Sequence, residues 1–271
     1  MCENKIDMEK QGLSTNTLKI IAIAAMVCDH APYIAQGWQE LYYVYPWFLL
    51  HAVGRITAPV FFFLLAMGYR RTRDANRYTL RLLIFACISY VPYIWYFEGA
   101  LPNKQNFLEL NVIFTMLVGL LLLRSVYEIK NIVLKVVCVI LCILIGYWCD
   151  FGLYGIAMIL ICDLCRESRL RTVLGIGALM MTYIGLNIGR VFANSTGPFE
   201  YIAQIEANAR IAPYMVVILC LLLPLIFIAF HRKWYPGAVQ ERRPSFLAKW
   251  GFYIFYPAHI TVFLLIRLYL L

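Results

Sequence analysis

The feature that most restricts this chain is the recurrence of continuous apolar runs, nine of them, each separated from the next by a short polar or basic stretch. About 20 such residues in helical form cross ~30 Å of hydrocarbon, where only helices and closed barrels satisfy every backbone polar group. Runs such as 112–123 do not alternate between apolar and polar residues, so they read as helices and not as barrel strands. Composition agrees: 62% of the 271 residues are hydrophobic and 14% charged, against roughly a quarter charged in soluble domains. The expected fold is therefore all-α, a polytopic membrane protein of about nine transmembrane helices. A polar N-terminal segment, 1–17, precedes a single helical domain, 18–271.

The spans read as about 18–35, 47–69, 78–97, 108–127, 132–148, 153–165, 172–192, 211–230 and 246–271, the sixth short enough to be re-entrant. Ser14-Thr15-Asn16-Thr17 supplies capping side chains just before the first. Lys and Arg orient the set, because cytoplasmic loops carry the excess of positive charge. Of 24 such residues, 19 fall in the N-terminal segment, at Lys19 at the start of the first span, and in alternate loops around 70–81, 124–135, 166–171 and 232–249. That predicts a cytoplasmic N-terminus in a multi-pass cell-membrane protein. Glu3, Asp7 and Glu9 argue against a cleaved signal peptide.

The same distribution explains the net charge of +9 as topology, so nucleic acid is not an expected partner. The nine cysteines lie mainly inside apolar runs without metal-ligand spacing, and read as small packing residues with no metal expected. There is no Walker-type glycine loop, no G-x-S-x-G elbow and no inverted repeat in the hydropathy.

Ionisable residues inside membrane helices cost ~2.5 to 3.5 kcal/mol on insertion scales, so each is a functional candidate. Asp29 and His30 lie ~17 Å along the first helix, past the midplane. His51 and Arg55, four apart on the second and one and two turns deep, share a face, and Arg55 reaches a depth similar to that of Asp29 and His30. Asp29 and Arg55 can pair, leaving His30 as the titratable group. Pro59 removes the helical partner of the Arg55 carbonyl. His259, in Tyr256-Pro257-Ala258-His259, is a second candidate for proton handling. Asn111 and Thr115 are candidates to line the same cavity, with Glu109 at its outer mouth. Arg70, Arg71, Arg73 and Arg77 suit either a phosphate-bearing cytoplasmic ligand or an anionic lipid surface.

Several blocks resemble the TraX family: the run 18–30 ending in Cys28-Asp29-His30, Gly54-Arg55-Ile56-Thr57-Ala58-Pro59-Val60-Phe61, and Gly68-Tyr69-Arg70-Arg71-Thr72-Arg73. Ser89-Tyr90-Val91-Pro92, Leu110-Asn111-Val112-Ile113-Phe114-Thr115 and 252–259 match as well, whereas helices five to eight agree only in hydropathy. The resemblance implies an acetyltransferase that carries an acetyl group from cytoplasmic acetyl-CoA to an acceptor on the other side. The acceptor is a protein N-terminus, a sugar or a small molecule. Under that reading Arg70, Arg71, Arg73 and Arg77 meet the donor's phosphates. His30, oriented by Asp29, is general base or transient acetyl carrier, Arg55 with Asn111 stabilises the oxyanion, and His259 is the reserve base or relay. The competing reading is a secondary transporter using Asp29, His30, Arg55 and His259 for substrate or protons.

Overall fold

A computed structural model describes residues 12–34, 47–194, 222–234 and 246–269. Most of the polar N-terminal segment, the turn expected at 36–46, the start of the eighth span and the loop before the ninth lie outside these residues.

The described chain is helical, in the order α1 (Thr15–His30), α2 (Trp47–Gly54), α3 (Thr57–Arg71), α4 (Ala75–Glu98), α5 (Val112–Glu128), α6 (Ile132–Gly146), α7 (Gly152–Leu164), α8 (Arg169–Asn194), α9 (222–229) and α10 (Phe246–Tyr269). Short 3-10 turns follow α1 at Ala31–Ile34 and α9 at Arg232–Trp234. Local chemistry sets the starts. Ser14, Asp74, Asn111 and Asn131 each cap a helix with a side-chain oxygen that accepts from a backbone N–H of the first turn. Gly99, at φ 70°, ends α4 in the left-handed conformation that suits glycine.

The second expected span is two helices. The N–H groups of Arg55 and Ile56 bond to the carbonyls of Ala52 and Val53, both at 3.2 Å, so the chain tightens into a three-residue turn between α2 and α3. Pro59 then falls in the first turn of α3, where a helix needs no N–H, and begins a helix instead of kinking one. Pro92 and Pro257 lie inside α4 and α10.

Helix α3 is the centre of the bundle: Ala58 through Met67 are all buried. It packs on α1, α5 and α7, while α10 lies against α4 and α1. In the span that ends α3, 72% of the apolar window is buried, against 28% in the spans of α1 and α4. The outer helices therefore turn their apolar side chains outward. Ile132, Val133, Leu141 and Leu144 on α6 are half exposed or more, a surface suited to lipid. By length and composition, four helices among the described residues are able to cross a membrane: Thr15–Ile34, Ala52–Arg71, Ala75–Glu98 and Lys249–Tyr269. Ile132–Gly146 and Gly152–Leu164 are shorter apolar helices, the latter at the place of the short sixth apolar run.

Contacts between helix ends show that, with α2 and α3 taken as one span, successive helices run in opposite directions. At one end Arg70 of α3 meets Asp163 of α7, Arg124 of α5 meets Thr79 and Asn76 of α4, and Leu13 before α1 meets Phe230 after α9. At the other, the last turn of α1 meets α4 and α10, and Leu110 before α5 meets the α6–α7 turn. The first is the arginine-rich end; the second is the histidine end.

Candidate functional site

At the histidine end α1 and α10 converge on a pair of imidazoles. His30 Nδ1 and His259 Nε2 are 2.8 Å apart, and His259 Nδ1 is 2.9 Å from the Phe255 carbonyl oxygen. A carbonyl only accepts, so His259 carries its hydrogen on Nδ1 and, when neutral, a lone pair on Nε2. His30 Nδ1 must then be the donor across the pair. That assignment, which follows from the bonding partners, leaves the basic lone pair of His30 on Nε2. The rings lie 12° from parallel, Phe255 stacks on His259 at 4.8 Å, and Phe97 meets His30 edge-on at 5.1 Å.

The surrounding helix ends hold this pair in place. The Tyr96 hydroxyl donates to the His30 carbonyl at 2.7 Å, which ties the end of α1 to α4. Arg267 donates from Nη1 to the Tyr96 carbonyl at 2.8 Å, placing a cation at the C-terminal end of α4.

Asp29 packs against Gly54. A β-carbon at Gly54 would fall on the Asp29 side chain, so glycine is what allows α2 to approach α1 this closely. Arg55 follows at the helix break, and Thr57 donates to the Ala22 carbonyl at 3.1 Å, fixing the start of α3 to α1. The block Gly54 to Pro59 thus has a physical reading: close approach, cation, tie and helix start. The backbone of α2 includes His51, whose side chain lies outside the described residues.

One further acid at this end lies in a turn. Asp150, between α6 and α7, donates its N–H to the Leu110 carbonyl at 2.7 Å, while the Leu110 N–H bonds the Trp148 carbonyl at 3.1 Å. This parallel bridge fastens the turn to the start of α5. Asp150 is exposed in the turn, and protein crowds the space around it. Enclosure, then the charge of Asp29 and that of Glu109, pushes its carboxyl up to about 7, against the opposing effects of Arg55 and the Tyr93 hydroxyl. Asp29, Arg55 and Asp150 therefore share one electrostatic neighbourhood. No sequence period marks Asp150; its only signal was an acid in a four-residue turn between apolar runs.

Asn111 is fully buried, with Oδ1 accepting from the Ile113 N–H and Nδ2 donating to the Ala86 carbonyl, both at 3.0 Å. It ties the start of α5 to the middle of α4. Thr115 is also buried, 3.5 Å from the N–H of Phe151, under the Asp150 turn.

The four arginines of the other end separate. Arg70 donates from Nε and Nη2 to the two carboxylate oxygens of Asp163, each at 2.6 Å, with its guanidinium 3.9 Å from the Tyr127 ring centre. Asp163 is wholly buried, and Arg166 donates to its carbonyl from the next turn. Arg77 pairs with Asp74 at 2.9 Å on the surface. Arg71 and Arg73 are exposed. Lys233, counted in the sequence only for topology, joins them: burial, then the nearby charge of Arg71, holds its ammonium below the usual lysine range, with Arg166 acting in the same sense. Roughly 20 Å of α3, at 1.5 Å per residue, separate these groups from Arg55.

A family model described as TraX protein matches residues 14–267, nearly the whole chain. The chain belongs to the TraX family. The match includes helices five to eight, where the sequence blocks were weakest, and takes in both the histidine end and the arginine-rich end of this TraX chain. It is also 26% identical over 260 residues to the probable fimbrial assembly protein FimC, serogroup H1, of Dichelobacter nodosus, covering 93% of this chain and 95% of the relative. No solved structure matches the TraX chain.

Proposed function

We propose that this TraX-family chain is a multi-pass cell-membrane acetyltransferase, its N-terminus in the cytoplasm and about nine spans in all. It takes the acetyl group of cytoplasmic acetyl-CoA and delivers it to an amine or hydroxyl acceptor at the opposite face. The observation that carries the proposal is the His30–His259 hydrogen bond, which leaves the basic lone pair of His30 on Nε2, at the end of the bundle that also holds Asp29 and Arg55. Such a group takes the acceptor's proton as the nucleophile attacks the thioester carbonyl. Arg55, a cation at a helix break, stabilises the oxyanion. Asp29 holds the site's charge balance, and His259 fixes the His30 tautomer and relays its proton.

The two ends of the bundle fit the two substrates. Arg71, Arg73 and Lys233 suit the phosphates of acetyl-CoA, with Arg70 and Arg77 contributing charge from their ion pairs. Asn111 acts by holding α4 and α5 around the path between the ends. The concentration of basic residues at that end supports its cytoplasmic placement. The relative's description as a fimbrial assembly protein fits a surface-protein acceptor with a free N-terminus. The break at Arg55 is also what a transporter would use to bind an ion; acetyl chemistry separates the two readings.

The test is purified protein in detergent with radiolabelled acetyl-CoA and a short peptide bearing a free N-terminal amine. Wild type acetylates the peptide, and His30→Ala lowers kcat by ~100-fold or more while acetyl-CoA still binds. Wild-type protein that neither binds nor turns over acetyl-CoA would leave the transporter reading standing instead.

A further inference from the structure

The proposed reaction leaves one question about protons. An acceptor amine near neutral pH is mostly ammonium, since α-amino groups titrate at roughly pH 8, and an ammonium has no electron pair with which to attack. One proton must leave before attack and a second during it. His30 accounts for the second, because it passes that proton on to the departing thiolate.

We infer that Asp150 is the catalytic residue of the acceptor side: its carboxylate binds the acceptor ammonium and takes its first proton. The inference rests on the acetyltransferase reading and deepens it. Three observations converge on this residue. The bridge to Leu110 and the contact of Phe151 with Thr115 fix the turn against α5, so the carboxylate has a defined place. That place is accessible, at the histidine end, and within the electrostatic reach of Asp29 and Arg55. The groups within electrostatic reach of it come from several elements: Asp29 of α1, Arg55 of the α2–α3 break, Tyr93 of α4, Glu109 before α5 and Tyr256 of α10. Acids outnumber cations among them, which favours a cationic guest over a phosphate or carboxylate. The shift of the carboxyl to about 7 matches a group that exchanges protons near neutral pH.

The step balances. Asp150 takes one proton from the ammonium and returns it to water at the outer mouth. The freed nitrogen forms the C–N bond to the acetyl carbon as His30 Nε2 takes its second proton. The C–S bond breaks, and the thiolate collects that proton from His30. The products are an acetylated amide, free thiol and one proton released to water.

The experiment compares wild type, Asp150→Asn and Asp150→Glu as full-length protein in lipid nanodiscs, with glycinamide as acceptor. It follows acetyl-CoA binding and acetyl transfer across the pH range around neutrality. For wild type, transfer falls as pH drops through about 7, where the carboxylate is lost. Asp150→Asn lowers transfer by ~100-fold, raises KM for glycinamide, and removes that limb of the profile, with acetyl-CoA binding retained. Asp150→Glu restores part of the rate and the limb. Transfer and a pH limb unaltered in Asp150→Asn overturn the inference alone. A wild type that does not bind acetyl-CoA overturns the acetyltransferase reading and this inference with it. An Asp150→Asn protein that unfolds leaves the decision to Asp150→Glu, whose partly retained rate and retained pH limb support the role and whose lost rate with an unshifted KM contradicts it.

Discussion

Asp163→Ala lowers the free energy of unfolding by about 3 kcal/mol, read from thermal or denaturant unfolding of the purified protein in detergent. Breaking a buried ion pair by removing one partner costs roughly 3 to 5 kcal/mol, mostly because the other charge stays behind without compensation. Here the carboxylate is wholly buried and the Arg70 side chain is 30% exposed, so the arginine recovers some hydration and the lower end of that range applies. Two charge-assisted hydrogen bonds at 2.6 Å disappear together, and with them the tie between α3 and α7. Arg70→Ala is the harsher change, because it leaves the wholly buried partner. A loss below ~1 kcal/mol in Asp163→Ala would mean that the pair behaves as a surface ion pair and does not anchor the central helix.

Gly54→Ala has the largest effect on transfer of any change outside the ionisable groups. The new methyl falls on Asp29, on side-chain atoms close to the α1 backbone. Relief requires either that α2 withdraw from α1 or that Asp29 rotate away, and each moves a member of the Asp29–Arg55 neighbourhood. Overpacking of this kind costs roughly 1 to 3 kcal/mol of stability, and a displacement of about 1 Å in a reacting constellation costs about 100-fold in rate. Gly251→Ala in α10 supplies the comparison, since a β-carbon there meets nothing within 4 Å. In a helix that change is neutral or stabilises by up to ~1 kcal/mol. Equal activity for the two variants would show that the close approach of α1 and α2 is not needed by the site.

Much of the bundle was legible in the sequence, because hydropathy and capping are local. The Ser14 cap, the bounds of helices α4 and α7 to within a few residues, and the interior positions of Pro92 and Pro257 all follow from neighbouring residues. The break at Arg55 was not, because an apolar run reads the same whether its helix is continuous or turns for two residues. Proline at 59 pointed to the right place, because a missing N–H is costly within a helix and harmless in its first turn. The site divides in the same way. Asp29, His30, Arg55 and His259 announce themselves as ionisable groups inside apolar runs, and the structure brings them to one end. The His30–His259 bond joins residues 229 positions apart, and Arg70 meets Asp163 across 93, so neither pairing has a local signal. The arginine cluster looked like one ligand site because its members are adjacent in sequence. In the fold one member is committed to a buried acid, one to the cap of its own helix, and Lys233 comes in from a distant segment.

Acetyl movement across a sealed bilayer is the most direct measure of the whole account. Proteoliposomes holding the protein with its arginine-rich end outward receive radiolabelled acetyl-CoA outside, with the acceptor peptide trapped inside. Wild-type vesicles accumulate labelled, acetylated peptide within the lumen, and His30→Ala vesicles do not, although both bind the donor. Label that stays outside with wild type, or that reaches the trapped peptide equally well without His30, contradicts the account.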